Sequence, residues 1–317
     1  MEPVVTNRDP LWLDRMYNNR ALVADSSQQL QGWSEASAAA RSLLGGSLGV
    51  PYGDADGETL DVFPSAQRDA PVLVFIHGGY WRALHSSDHS FVAPPFVRAG
   101  ACVVVPNHAL CPAVRVSDIV RQMVRALVWV YRHVAAYGGD PSRISVVGHS
   151  AGGHLSAMLL ACRWPSVMRG LPPGLVRNGM AISGLYELES IRRTPFLQAS
   201  LGLTPEEARA ASPAWLRPDP RSDGAGALYA VVGGLESAEF LRQNRLIQSA
   251  WGKRRVPVCE VLPGLNHFTI LAALTQAEHP LHALARELLE PTTWFHRRAA
   301  RGYISRCSPA LSPPRVT

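Results

Sequence analysis

The stretch Arg143-Ile144-Ser145-Val146-Val147-Gly148-His149-Ser150-Ala151-Gly152-Gly153-His154-Leu155-Ser156-Ala157-Met158-Leu159-Leu160 decides the fold. It opens as a short apolar run built on β-branched Ile144, Val146 and Val147, breaks at Gly148, and resumes as a run with helical character. Strand, tight turn and helix in immediate succession put Ser150 in the turn. Gly148 and Gly152 remove Cβ atoms that would clash there, and the helix start offers unpaired N–H groups and a positive dipole end beside the serine oxygen. Gly-x-Ser-x-Gly in this setting is how a nucleophilic serine is presented. The pattern alone is weak, and a second copy proves it: Gly45-Gly46-Ser47-Leu48-Gly49 follows an alanine-rich helix, leads into Val50-Pro51-Tyr52, and reads as a loop.

Outward from this element the chain keeps one rhythm. Short apolar strands are expected at 59–63, 71–76, 101–106, 143–148, 179–183, 227–233 and 256–262. Longer segments with helical spacing separate most of them, and the clearest is the stripe Ile119, Met123, Ala126, Leu127, Val130, Val134. Near-continuous Val/Ile strands alternating with helices predict an α/β fold with a mostly parallel central sheet covered on both faces. About the first 50 residues read as a helical segment. The long connection 185–225, rich in Pro, Arg and Ser and carrying its own helical piece at Thr204–Ser212, reads as a small inserted cap. Residues 1–290 are expected to form one domain, with 291–317 as a basic, disordered tail.

A serine nucleophile needs oxyanion donors, a base, and a group to fix the base's tautomer. His77-Gly78-Gly79-Tyr80-Trp81 ends the strand at 71–76, and its glycines let backbone N–H groups approach a substrate. Gly79, Tyr80 and Ala151 are the expected donors, with His77 ordering the loop. In this topology acid and base follow the serine, each after a sheet strand. His267, in Pro263-Gly264-Leu265-Asn266-His267-Phe268, occupies the base position; His133, His279 and His282 read as surface or packing residues. Glu236 follows the strand at 227–233 and is the expected acid, 31 residues before His267. Its rivals are Glu239, expected on a helix surface one turn on, and Asp223, which precedes the strand; Asp140 reads as a turn former before the serine strand.

Composition limits the alternatives. The chain has 317 residues, 47% apolar and 18% charged, enough to bury a sizeable core. Its 31 Lys+Arg against 25 Asp+Glu give +6, but Lys253 is the one lysine. The tail holds Arg297, Arg298, Arg301, Arg306, Arg315 and no acid, so it supplies all but one of the net charges. The rest is nearly neutral and carries no nucleic-acid reader motif, so no nucleic-acid partner is expected. Five widely spaced cysteines without Cys-x-x-Cys form no disulfide framework or zinc set. Together with the lack of a secretory pattern in the first residues, they point to the cytoplasm. Ile144–Cys162 runs 19 residues without a charge, but two histidines, three serines and three glycines argue against a membrane span. His-Glu-x-x-His, Walker A and a strand-linked Gly-x-Gly-x-x-Gly are absent, so no metal or other cofactor is expected. A homodimer is compatible with the sequence.

HGGYW at 77–81, GHSAGGH at 148–154, ESAEFLRQ at 236–243 and NHF at 266–268 together resemble the α/β-hydrolase superfamily, and within it the arylformamidase (kynurenine formamidase) group. ISGLYEL at 182–188 and MYNNR at 16–20 support the likeness, which spans about residues 10–290. The resemblance implies Ser150, Glu236 and His267 as a triad, with Gly79, Tyr80 and Ala151 as oxyanion donors. It departs in two places: the best-known animal members carry Asp where this chain has Glu236, and relatives commonly carry Tyr where it has His108. The implied reaction is hydrolysis of an aryl formamide such as N-formylkynurenine, a small aromatic substrate, with Tyr80, Trp81 and the cap's Trp215 stacking on its ring. A carboxylesterase for short acyl or aryl esters uses the same machinery. A non-catalytic binding protein on this fold would be expected to lack a triad member, and here all three positions are filled.

Overall fold

The Val/Ile runs pair with one another as expected. In the computed structural model, which describes residues 9–216 and 226–290, they form one sheet of order β1-β2-β4-β3-β5-β6-β7-β8. The strands are β1 Ser47–Pro51, β2 Thr59–Phe63, β3 Ala70–Ile76, β4 Cys102–Pro106, β5 Gly139–His149, β6 Asn178–Ile182, β7 Leu228–Gly233 and β8 Val258–Leu262. β1 and β2 are antiparallel additions at one edge, and β4-β3-β5-β6-β7-β8 run parallel. Seven of the eight lie where the apolar runs put them. The exception is β1, since the Ser47 copy of Gly-x-Ser-x-Gly is an edge strand rather than the expected loop. Gly49 N–H donates to Asp61 Oδ1 at 2.9 Å across the β1–β2 pair. Four of the five β1 residues are exposed, so no apolar alternation announces the strand.

Helices cover both faces. They are α1 Pro10–Tyr17, α2 Asn19–Leu22, α3 Ser26–Leu44, α4 Ala93–Arg98, α5 Val116–His133, α6 Ala151–Leu160, α7 Trp164–Val167, α8 Glu189–Arg192, α9 Pro195–Leu201, α10 Pro205–Ala210, α11 Ala238–Trp251, α12 Thr269–Thr275 and α13 Pro280–Glu287. The stripe read on α5 is its buried face: Ile119, Met123, Ala126, Leu127 and Val130 pack with β3, β4 and α6 residues in one core. Burying a side chain of the Ile or Leu kind contributes about 1.5–3 kcal/mol. A second core on the other face joins Phe75, Phe96, Met180 and Val231 to α12 and α13.

The insertion after β6 folds as α8, α9, α10 and a 3-10 turn at Pro213–Trp215. Pro195 and Pro205 open two of these helices at positions where a missing N–H costs nothing, and Thr204 and Glu207 form a reciprocal cap on α10. Residues 217–225 of the insertion, including Asp223, and the tail 291–317 lie outside the described residues. α1 is bound into the insertion: Asp14 Oδ1 accepts the Phe196 N–H at the start of α9, 3.1 Å away.

Candidate active site

Parallel strands bring their C-terminal ends to one rim, where α/β sheets place ligands. β3, β5, β7 and β8 end there, and each is followed by a segment singled out in the sequence. Ser150 follows β5 with φ 56° and ψ −118°, a conformation rare for a residue with a side chain. Its N–H donates to the Ile182 carbonyl at the end of β6, 2.8 Å away, and its own carbonyl accepts the first helical bond of α6 from His154. The flanking glycines are needed for space. A Cβ on Gly148 would lie 2.1 Å from the Gly152 carbonyl oxygen, and one on Gly152 would lie 2.0 Å from that of Ile76. Ala151 is the first residue of α6, so its N–H has no intrahelical acceptor.

The loop after β3 closes on this turn. A Cβ on Gly78 would meet the His149 carbonyl oxygen at 2.9 Å and the Ser150 Cβ at 3.0 Å. Gly79, Tyr80 and Trp81 have consecutive positive φ values of 103°, 50° and 56°. His77 Nδ1 donates to the Gly78 carbonyl at 2.8 Å, and in a planar trans peptide this turns the Gly79 N–H to the opposite side. Burial, then neighbouring His108 and His89, hold the His77 imidazole well below its ordinary pKa, so it stays neutral. His108, the departure noted above, is stacked on His77 with ring centroids 4.4 Å apart.

His267 follows β8, and its Nδ1–H donates to Glu236 Oε2 at 2.7 Å. This leaves Nε2 as the lone-pair nitrogen of the neutral ring. Glu236 Oε1 accepts from Ser183 Oγ at 2.5 Å and from the Gly233 N–H at 2.8 Å, so the carboxylate is fixed on both oxygens. Both side chains are buried, with Glu236 8% and His267 6% exposed. The His267 carbonyl accepts from His149 Nε2 at 2.9 Å, which ties the base segment to the serine turn. Burial, and after it the His267 ring, hold His149 well below the ordinary histidine pKa.

Two expectations change, those for Trp81 and Glu239. Trp81 has no exposed surface and meets His154 edge-on at 4.9 Å, so its ring is a core residue with no face for a substrate. Trp215 is 57% exposed on the 3-10 turn, whereas the Tyr80 ring is partly buried and edge-on to Phe196 at 6.3 Å. Glu239 is not on a surface: it is buried in an ion pair with Arg242 at 2.7 Å. Sequence reading missed Ser183, whose signal was its place directly after β6 within the ISGLYEL segment. It also missed Tyr17, discussed below. Among the described residues no cluster of three or more His, Cys, Asp or Glu could hold a metal, and no helix is long and apolar enough to cross a membrane.

This strand order, with a strained serine heading a helix at the rim, defines an α/β-hydrolase, and the chain belongs to that superfamily of enzymes. More narrowly, it is a serine hydrolase of the esterase and formamidase kind, similar to kynurenine formamidases. It is 28% identical to the kynurenine formamidase of Salmo salar over 88% of this chain and 92% of that one. For the Danio rerio enzyme the identity is 29% over the same shares. A family model described as BD-FAE matches residues 60–163. A crystal structure of a Silicibacter sp. TM1040 protein, provisionally described as a thioesterase, superposes with a TM-score of 0.74 at 30% identity, covering 86% of this chain and 97% of that one. A Pyrobaculum calidifontis esterase shares the fold at 17% identity, with a TM-score of 0.61 and 89% and 98% covered.

Proposed function

We propose that the chain is an arylformamidase that hydrolyses N-formylkynurenine or a similar aryl formamide through a formyl-enzyme. The observation that carries the reading is the Glu236–His267 pair at 2.7 Å, tied through His149 to the Ser150 turn, in a chain similar over nearly its full length to kynurenine formamidases. Ser150 Oγ attacks the formyl carbon while His267 Nε2 takes its proton. Glu236, held by Ser183 and Gly233, orients the ring and stabilises the imidazolium without accepting the proton. Negative charge then forms on the formyl oxygen, where the N–H groups of Gly79, Tyr80 and Ala151 act as donors, each such donor contributing about 3 kcal/mol. The imidazolium protonates the departing aryl amine. Water, deprotonated by His267, attacks the formyl ester, and formate and free Ser150 result. The partly buried Tyr80 ring is the aromatic contact for the substrate. A cytoplasmic location belongs to the same proposal, and the free thiols Cys102, Cys111, Cys162 and Cys259 among the described residues are compatible with it.

Hydrolysis of an ester or thioester is the second reading, favoured by the Silicibacter relative. Measuring kcat/KM on N-formylkynurenine, p-nitrophenyl acetate and an acyl thioester separates the two. A formamide preference of at least tenfold supports the proposal, and a preference for either ester overturns it.

A further inference from the structure

Tyr17, the last residue of α1, reaches both halves of the site. Its backbone carbonyl accepts the Tyr80 hydroxyl at 2.7 Å, and Asn19 Nδ2 donates to the same hydroxyl at 3.4 Å. Its ring is edge-on to Phe240 with centroids 5.7 Å apart, and the Phe240 ring lies 4.6 Å from that of His267. Its own hydroxyl donates to Glu239 Oε2 at 2.7 Å, accepts from Gln243 Nε2 at 3.0 Å and lies 2.9 Å from Ser190 Oγ. Around it, Arg242 binds Glu239 through Nε and Nη2 and Glu187 through Nη2, all buried. The side chain therefore cannot swing away without stranding buried polar groups.

The need for such an anchor is visible at Tyr80. A positive φ of 50° there is strained for a residue with a side chain and persists only where the surroundings impose it. On one side Trp81 is sunk in the core; on the other, the hydroxyl of Tyr80 is held by the end of α1. We propose that Tyr17 is a positioning residue for catalysis: its carbonyl fixes the strained oxyanion turn through Tyr80, and its ring, through Phe240, fixes the His267 imidazole. This rests on the proposed roles of Ser150, His267 and the Gly79–Tyr80 turn. It adds that the first helix belongs to the active centre rather than only to the core.

The test uses the full chain, with kcat and KM on the better substrate, labelling rate by a fluorophosphonate, and thermal stability. Tyr80→Phe keeps the ring and removes the tie to the Tyr17 carbonyl. Tyr17→Leu removes the ring against Phe240, and Tyr17→Phe restores it. Tyr80→Phe and Tyr17→Leu are each expected to lower kcat and labelling rate by about thirtyfold per labelled site with KM within about twofold, the size of a small misplacement of reacting groups. Tyr17→Phe should recover at least tenfold of the Tyr17→Leu loss even if its melting temperature falls as far. Wild-type kcat per labelled site in Tyr80→Phe overturns the inference, as does a Tyr17→Leu loss that Tyr17→Phe fails to recover. If Tyr17→Leu does not fold, Tyr80→Phe decides alone. Ser150→Ala is the control for the underlying reading: turnover surviving in it defeats the serine mechanism itself, whereas its inactivity beside unaffected Tyr17 and Tyr80 variants defeats only the positioning role.

Discussion

The two Gly-x-Ser-x-Gly copies are the same five-residue pattern put to different physical uses. At 148–152 both outer glycines are demanded by space, since any Cβ would enter a neighbouring carbonyl at about 2 Å. At 45–49 the outer glycines have nothing within 4 Å, and they are present because their φ values of 60° and 65° suit no other residue as well. Gly45 ends α3 in the left-handed conformation, and Gly49 bends an exposed edge strand. Backbone strain also differs: at the first site it falls on Ser150, whereas at the second the positive φ values fall on glycines, which adopt them without strain. A local pattern thus gains chemical meaning from packing on both sides of it, which the five letters do not encode.

Ser150→Ala should lower turnover by about 10⁴-fold or more and abolish fluorophosphonate labelling, while Ser47→Ala leaves both unchanged. Labelling that persists in Ser150→Ala would dissolve the distinction between the copies. Next in size is Gly152→Ala, which forces α6 away from β3 and should cost more than about 3 kcal/mol in urea titration. Gly49→Ala, strained in open space, should cost about 1 kcal/mol. Equal costs would mean that conformation, not space, sets the requirement at both copies.

Histidines give a third contrast. The serine turn is followed by His154, which burial holds at about 4, and the edge copy has no such neighbour. Because the unfolded chain protonates first, near the ordinary 6.5, His154 contributes no pH dependence above that value. It costs stability progressively as pH falls from 6.5 toward 4. Between pH 6.5 and 5 the loss is about 2 kcal/mol. His154→Phe should flatten the fall in melting temperature over that window, whatever offset the lost bond to the Ala211 carbonyl adds at every pH. An unchanged slope would show that His154 is not held neutral. The smallest effect expected is that of Ser47→Ala on stability, within about 0.5 kcal/mol.

The interior strands β3, β4, β6 and β7 were legible because they are buried on both faces and therefore read as apolar runs. β1 was not, since an exposed edge strand has no reason to alternate. The placing of Ser150, Glu236 and His267 on one rim was legible because strand ends in a parallel sheet converge there, so chain order alone narrows the choice. Trp81 and Glu239 were misread for a common reason: a residue's neighbours across the fold decide its burial. Trp81 is claimed by His154 of α6, and Glu239 by Tyr17 of α1. The role of Tyr17 was beyond reach: MYNNR marks its segment, but nothing local shows a tyrosine whose hydroxyl partners lie 173 to 226 residues away.

That distance has a consequence for the making of the protein. The hydroxyl of Tyr17 meets Glu239 across 222 residues of chain. At a synthesis rate of 5–20 residues per second, α1 leaves the ribosome about ten to forty-five seconds before α11 exists to receive it. Through that interval Leu13 and Tyr17, fully buried in the finished molecule, lack the part of their site that α11 supplies. The nascent chain therefore carries α1 with its Tyr17 hydroxyl unpaired until α11 is made, so the first helix completes its packing late.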